Sequence, residues 1–170
     1  MKLLSIALVL SALLAGCATL EPPVAPGYVG PTAIITDSVL QEDGGKGQLF
    51  FVRAVDGRTI ESAQTETRRA SAGRGFSLAL WSKLRLVPVR QLQLTLVGTH
   101  ATAAPIHEIA SRAAGTFFSV EGIVEFTPVA GAEYVVRGIL KKEGSTVWLA
   151  DAKTLEPVSA IVGNSSVESK

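Results

Sequence analysis

The sequence predicts a mainly β fold, an antiparallel sandwich or barrel with at most one short helix. About seven to nine short segments rich in β-branched and aromatic residues follow Thr32, with turn residues between them. Only the segment 101–115 has the periodicity of a helix. Strands that follow one another without intervening helices favour antiparallel pairing over a parallel α/β arrangement. We therefore expect one β domain over residues 32–162 and a disordered polar tail over residues 163–170.

The first 16 residues have the layout of a secretory signal peptide. Lys2 supplies a positive start, and an apolar run interrupted only by two serines extends from Leu3 to Leu14. This run is shorter than the roughly 20 apolar residues that span a bilayer, so a retained transmembrane helix is disfavoured. We expect residues 1–16 to be removed on export.

The end of this segment, Leu14-Ala15-Gly16-Cys17, resembles the lipobox of bacterial lipoproteins. The resemblance implies cleavage before Cys17, a diacylglycerol thioether on its sulfur and an N-acyl chain on its amine, with no other cofactor. Two or more acyl chains anchor a protein stably where one does not. Ala18 stands where an Asp would resemble an inner-membrane retention signal, which implies the outer membrane, facing the periplasm, in a Gram-negative cell. An ordinary signal peptide with a chance cysteine is the alternative.

Residues 17–31 are predicted to form a lipidated, extended tether. Prolines recur between positions 22 and 31 and favour polyproline-like extension, while two glycines loosen the chain. At about 3 Å per residue, such a tether would hold the domain about 40 Å from the lipid surface. We therefore expect the folded part to work away from the membrane.

The strongest hairpin signal in the β domain is Asp56-Gly57. This pair lies between the β-prone run Gln48–Val55 and the short return Arg58–Glu61, and both of its positions need a positive φ. Gln91–Val97 alternates leucines with polar residues, as a half-buried strand does. The polar stretch 62–75 has no periodicity and is predicted to be a long loop. The remaining predicted strands are Thr32–Thr36, Phe76–Trp81, Phe117–Thr127, Tyr134–Leu140, Thr146–Ala150 and Leu155–Val162.

One helix is predicted within Ala101–Gly115. Pro105 suits its first turn, and apolar side chains recur from Ile106 to Ala113 at the spacing of one helix face. Gly115 is placed as a C-terminal cap. A helix this short depends on tertiary packing, so we expect its apolar face to lie against the sheets.

The residues from Gly131 to Val136, with Tyr134 among them, resemble the tyrosine corner of immunoglobulin-like and fibronectin type III domains. In those domains a Tyr opens a strand after a tight corner, and its hydroxyl bonds to upstream backbone. The resemblance implies an immunoglobulin-like or transthyretin-like β-sandwich, although no cysteine pair flanks a core Trp. A partly buried Tyr at a strand start and a closed barrel are the alternatives. The whole chain also resembles small envelope lipoproteins with a β-sandwich domain, a class that implies a location but no reaction.

Charge and cysteine content argue against several other classes. Lys2 is the only charged residue before Cys17, so the rest of the chain carries 15 basic and 15 acidic residues. A chain without net charge has no global attraction for nucleic acid. With a single cysteine it forms no internal disulfide, and packing must hold the fold.

The sequence lacks the common catalytic templates. It contains no Gly-x-Ser-x-Gly elbow, no His-Glu-x-x-His helix and no glycine-rich phosphate loop, and Cys17 is assigned to the lipid. His100, His107 and Glu108 could supply three zinc ligands, and His107 with Ser111 could form a hydrolytic pair. Surface or strand-end histidines are the favoured interpretation. We therefore expect no enzymatic activity, no catalytic residue and no metal.

Arg68, Arg69 and Arg74 form a basic cluster in the predicted loop. Such a cluster can contact lipid headgroups, glycan phosphates or an acidic protein, so these arginines are candidate partner contacts. A solvated loop is the alternative. Trp81 and Trp148 lie in β-prone runs and are predicted to pack in the core or between the sheets.

Three functional hypotheses remain. The favoured one is a non-enzymatic, lipid-anchored envelope protein that binds a protein or glycan partner or has a structural role. The second is a carrier of small apolar ligands, with a β-barrel cavity of about several hundred Å³ lined by Leu and Phe. The third is a metal-dependent hydrolase that uses His100 and His107.

Overall fold

A computed structural model of the chain describes residues 20 and 22–165, which are arranged as two β-sheets and two short helices. The predicted mainly β fold is confirmed, and the two sheets form a sandwich. The strands are β1 (Thr32–Thr36), β2 (Ser38–Gln41), β3 (Lys46–Val55), β4 (Arg58–Thr59), β5 (Leu84–Pro88), β6 (Leu92–Thr102), β7 (Ser119–Phe126), β8 (Glu133–Ile139), β9 (Gly144–Asp151) and β10 (Val162–Ser165). The helices are α1 (Ala63–Ser71) and α2 (Pro105–Ala113). Neither helix is long and apolar enough to cross a membrane.

The first sheet has the strand order β10-β9-β8-β1-β5, and the second has the order β2-β3-β6-β7 with β4 paired to β3. β1 pairs antiparallel with β5 but parallel with β8. The predicted antiparallel sandwich therefore contains one parallel pair among its described strands. Only Asp37 separates β1 from β2, so the chain passes from the first sheet to the second at this residue.

The main core lies between the sheets, and a smaller one lies under α1. Leu92, Leu94 and Leu96 of β6 are buried in the main core, as the alternation of that segment predicts. On the other face of β6, Thr95 and Val97 are also buried. The cluster on the outer face of the second sheet contains Leu49, Phe51, Ala63 and Val97. α1 thus covers part of the outer face of the second sheet.

Two local predictions are confirmed by backbone geometry. Asp56 and Gly57 have φ angles of 51° and 75°, and they connect β3 to β4 in a hairpin. Tyr134 opens β8, and its hydroxyl accepts a hydrogen bond from the Val129 N–H at 3.0 Å. Gly131 turns the corner with a φ of 71°. The geometry that the tyrosine-corner resemblance implies is therefore present.

The stretch 62–75, predicted to be a loop, contains α1, so residues 22–165 form two helices where at most one was predicted. The helix begins after Ser62, whose backbone N–H donates to Thr65 Oγ1 at 2.8 Å. A Thr at this position replaces the Glu or Gln that marks a capping box in sequence. Only Ala63 and Thr67 are buried in α1, so the apolar periodicity that would have indicated a helix is absent.

The C-terminal boundary also differs from the prediction. Val162–Ser165 pairs with β9 as β10, although a disordered tail was predicted from residue 163. The predicted strand Leu155–Val162 is mostly irregular because Leu155 has a φ of 62° and only Pro157 forms an isolated bridge, to Ala150. Pairing with β9 orders a segment whose polar composition gives no strand signal.

The described part of the predicted tether lies on the domain and does not extend away from it. Leu20, Pro22, Pro23 and Val24 line a groove of about 390 Å³ together with residues of β5. Within the turn that follows, the Tyr28 hydroxyl donates to the Pro31 carbonyl at 3.1 Å. The predicted signal peptide (1–16) and Cys17 lie outside the described residues.

Candidate functional site

A groove of about 540 Å³ opens between the two helices. One wall is the second half of α1 and the turn after it, and the other is the end of β6 with the start of α2. Ser62 and Ala63 fix the start of α1 on the sheet, and Ala103 ties the other wall to the β2–β3 turn by donating to the Gly45 carbonyl at 2.8 Å. The polar side chains that line the groove include Gln64, Thr67, Arg68, Ser71, His100, Thr102 and Glu108.

The structure separates the three arginines that were predicted to form a loop cluster. Arg68 and Arg69 lie in the last turn of α1, and only Arg74 lies in the turn that follows. Arg69 pairs with Glu66 at 3.0 Å and Glu61 at 3.4 Å. The side chains of Arg68 and Arg74 are exposed and have no hydrogen-bond or ion-pair partner among the described residues. Of the three, Arg68 lines the groove.

His100 lies at the floor of the groove and is fully engaged by its neighbours. The Phe118 N–H donates to Nδ1 at 2.9 Å, so Nδ1 is an acceptor and the proton of the neutral ring is on Nε2. Nε2–H donates to Glu42 Oε1 at 3.0 Å. This side chain is 3% exposed. Neither ring nitrogen is available to bind a metal or accept a substrate proton.

Glu42 is the charged partner of His100. Partial burial would raise the pKa of Glu42, but hydrogen bonds, the largest from Gln48 and Lys46, outweigh it, so that the pKa is lowered. Lys46 also donates to the Thr116 carbonyl at 2.9 Å. The carboxylate is therefore held charged between the β2–β3 hairpin and the segment before β7, in contact with His100.

The residues considered for a zinc or hydrolytic site are directed to different partners. His107 stacks on Phe76 with ring centroids 5.1 Å apart, and Glu108 pairs with Arg112 at 2.8 Å. Among the described residues, no cluster of three His, Cys, Asp or Glu is arranged to hold a metal ion. Ser111 and Asp43 line a second groove of about 360 Å³ with His107, but no hydrogen bond connects the three side chains.

Sequence reasoning missed the buried ion pair between Asp37 and Arg85. The Arg85 side chain is 4% exposed, and its two terminal nitrogens donate to the Asp37 carboxylate at 2.6 and 2.5 Å. Asp37 also accepts the Val52 N–H at 3.1 Å and the Ala63 N–H at 2.7 Å. Because Ala63 opens α1, the carboxylate caps the helix that forms one wall of the groove.

The prediction that both tryptophans are core residues is wrong. Trp81 is 60% exposed in the segment before β5. Trp148 is half-buried on β9, opposite Arg137 of β8 and on the face of the first sheet that points away from the core. Its indole N–H is buried without a hydrogen-bond partner among the described residues. Both residues lie in apolar runs, but a run alone does not tell which side of a sheet a side chain takes.

The space between the sheets is filled by side chains. Phe50, Ile35, Val52 and Leu149 are among the buried residues of the main core, and the grooves described above all open to solvent. None of these grooves is the enclosed cavity that the carrier hypothesis predicts.

Comparison with known proteins gives no match: no family model fits the chain, and no curated protein or solved structure is detectably similar to it. Function is therefore argued from the groove, the surface and the N-terminal sequence.

Proposed function

We propose that this chain is a lipid-anchored, non-enzymatic lipoprotein of the cell envelope whose β-sandwich binds a protein or another envelope component. The anchor is the diacylglycerol and N-acyl lipid on Cys17, and the location is the outer membrane, facing the periplasm. The sequence that supports the anchor is Leu14-Ala15-Gly16-Cys17. The same sequence supports export, and the folded domain begins within a short distance of it.

The observation that carries binding is the groove between α1 and α2. Arg68 lies at its wall with no partner, while the neighbouring Arg69 is held by two glutamates. A guanidinium presents a planar set of donors that matches a carboxylate or phosphate in two parallel hydrogen bonds. The groove therefore suits an acidic side chain of a partner protein or a phosphate of an envelope glycan.

The engagement of the histidines supports binding over catalysis. His100 donates to Glu42 and accepts from Phe118, and His107 stacks on Phe76 without a hydrogen bond to Ser111. A general base must be able to reach the proton that it abstracts. The chemistry that the groove offers most directly is recognition of a negative group by Arg68.

The anchor is tested by intact-mass spectrometry of the protein from native membranes. We expect the chain to begin at residue 17 and to carry the mass of three acyl chains, and a Cys17→Ser variant to lose both. A wild-type protein with a free thiol, or with a different first residue, would refute the lipoprotein assignment.

The groove is tested by photo-crosslinking in intact cells. A photoreactive amino acid in place of Ala72, which lines the groove, should capture a defined partner, and Arg68→Ala should weaken that capture. Arg137→Ala is the matched control, because Arg137 is also exposed and has no partner among the described residues. Equal capture by wild type, Arg68→Ala and an Arg68/Arg69/Arg74 triple Ala variant would remove these arginines from the proposal.

A further inference from the structure

The apolar face of α2 points into solvent. Ile106 and Ile109 are 60% and 64% exposed, and none of the nine residues of the helix is buried. The sequence predicts that this face packs on the sheets, and that prediction is wrong. The half-buried positions are instead His107, Glu108 and Ser111. The helix thus lies on the domain by its polar side and presents its apolar side outward.

A large exposed aromatic side chain lies beside the same helix. Phe76 is 68% exposed, and its ring lies against the ring of His107 in α2. We call the outward side chains of Phe76, Ile106 and Ile109 the α2 patch. Arg74 precedes Phe76 by two residues, and its guanidinium has no partner among the described residues. An apolar patch beside exposed arginines is the composition of a surface that rests at a lipid interface.

The path of the tether gives the direction from which the membrane approaches. It joins the domain at Thr32, and Leu20 lies in the groove beside Lys83 and the start of β5. Thr32 pairs with Pro88, whereas Thr36 pairs with Leu84, at the other end of β5. Followed back from Thr32, the tether therefore runs along β5 toward Leu84, the residue that pairs with the last residue of β1.

The α2 patch lies farther in that same direction. The chain continues from β1 through β2 to Gln41, which pairs with Gly47 of β3. The turn beside this pair contains Gly45, whose carbonyl accepts a hydrogen bond from the N–H of Ala103, just before α2. Five residues from Thr36 to Gln41 span about 17 Å in a strand. Only Ala18 and Thr19 lie between Cys17 and Leu20, so the two ends of this segment can be at most about 10 Å apart. The anchor is therefore confined to within about 10 Å of Leu20, which lies on the path toward the end of the sandwich that carries α2.

We propose that the α2 patch rests in the interface of the membrane to which Cys17 is anchored, with Phe76, Ile106 and Ile109 at the level of the acyl boundary and Arg74 at the lipid phosphates. This inference rests on the proposed lipid anchor. A short tether keeps the effective concentration of the domain at the surface at about the millimolar level, so a small patch suffices to orient it. The groove between α1 and α2 is then held close to the lipid surface, and not about 40 Å from it as an extended tether would place it.

The test uses the lipidated full-length mature chain in nanodiscs that contain anionic phospholipid. An environment-sensitive fluorophore is placed on a single introduced thiol, in Ile109→Cys or in the matched control Ile123→Cys. Ile123 is 58% exposed, nearly as much as Ile109, but lies on β7. We expect the emission at position 109 to shift to the blue and to be quenched by brominated acyl chains, while the probe at position 123 stays in water.

The same labelling reaction separates this inference from the proposed anchor. Cys17 is the only native cysteine, so a lipidated wild-type chain has no free thiol and takes up no label. Labelled wild type would mean that the anchor is absent and that the proposed function fails. Unlabelled wild type with water-like emission at both positions would overturn the orientation alone. Shielding of position 109 only when envelope proteins are added would also overturn it, because the patch would then bind a protein.

Discussion

The ion pair between Asp37 and Arg85 offers the sharpest test of how this fold is held together. Arg85→Met keeps the length and apolar stem of the side chain and removes its charge. Asp37 would remain buried, with two backbone N–H donors from Val52 and Ala63 but no cation. An uncompensated charge in the interior is one of the few changes that destabilise a domain severely.

The expected loss follows from the exposure of the two side chains, which is 4% for Arg85 and 0% for Asp37. Removal of one partner from a buried pair costs about 3–5 kcal/mol of the free energy of unfolding. Arg90→Met is the matched control, because Arg90 pairs with Asp56 at a similar 2.5 Å but is 52% exposed. Exposed pairs contribute about 0–1 kcal/mol.

Urea unfolding of the mature chain, with Cys17→Ser in every variant so that none carries lipid, measures both losses. The double variant Asp37→Asn/Arg85→Met should be more stable than Arg85→Met alone, because no buried charge remains. A loss below about 1 kcal/mol for Arg85→Met, equal to that of the Arg90→Met control, would show that the pair behaves as a surface contact and would refute the reasoning.

A pH series provides a second readout. Burial raises the pKa of Asp37, and the hydrogen bond and charge of Arg85 oppose that effect. The pKa of Asp37 is already raised in the folded wild type, and without Arg85 it rises further above the value in the unfolded chain. Stability linked to such a group is present at low pH and is lost as the pH rises through the folded pKa. The difference in the free energy of unfolding between wild type and Arg85→Met should therefore become smaller as the pH is lowered from about 7 toward 5. A difference that does not change with pH would contradict this explanation.

Three further changes test other parts of the structure. Tyr134→Phe removes the acceptor of an upstream backbone N–H and should cost about 1 kcal/mol in urea unfolding, so an unchanged midpoint would show that the corner does not need the hydroxyl. Gly138→Ala places a methyl group 2.6 Å from a β9 carbonyl oxygen and should cost about 1–3 kcal/mol, whereas Gly44→Ala, with nothing within 4 Å, should not alter stability. A hydrogen bond from Lys83 lowers the pKa of Glu61 in the folded state. The stabilisation that this pair provides is therefore complete above about pH 4.3 and is lost as the pH falls through the folded pKa of Glu61. Lys83→Met should make the melting temperature depend less steeply on pH between about pH 5 and 3. The same pH dependence in Lys83→Met and wild type would contradict this.

The features that the sequence predicts correctly are those whose causes are local. The leucines of β6 alternate with polar residues, Asp56-Gly57 supplies two positive φ angles, and Tyr134 follows Gly131 at the spacing of a corner. Each of these signals lies within a few residues of the structure that it determines. The parallel pairing of β1 with β8 has no such signal, because about a hundred residues separate the two strands and no turn connects them directly.

The candidate site was predictable only in part, for the same reason. Arg68 was identified from its charge, but the groove beside it forms because α1 meets the end of β6 more than thirty residues later in the chain. α1 itself was missed because Thr65, and not Glu or Gln, completes its first turn. Asp37 and Arg85 are 48 residues apart and carry no motif that links them.

The helical spacing of α2 identifies which side chains share a face but not where that face points. Its direction is set by the end of β6 and by the bond from Ala103 to Gly45, which hold the polar side of the helix on the domain. The Asp37–Arg85 pair has a comparable role on the other side of the groove, because Asp37 caps α1 and Arg85 belongs to the strand along which the tether lies. One buried pair thus positions both a wall of the binding groove and the path of the chain toward the anchor. Arg85→Met should therefore weaken photo-crosslinking from Ala72 and the docking of Leu20 together, whereas Arg90→Met should affect neither.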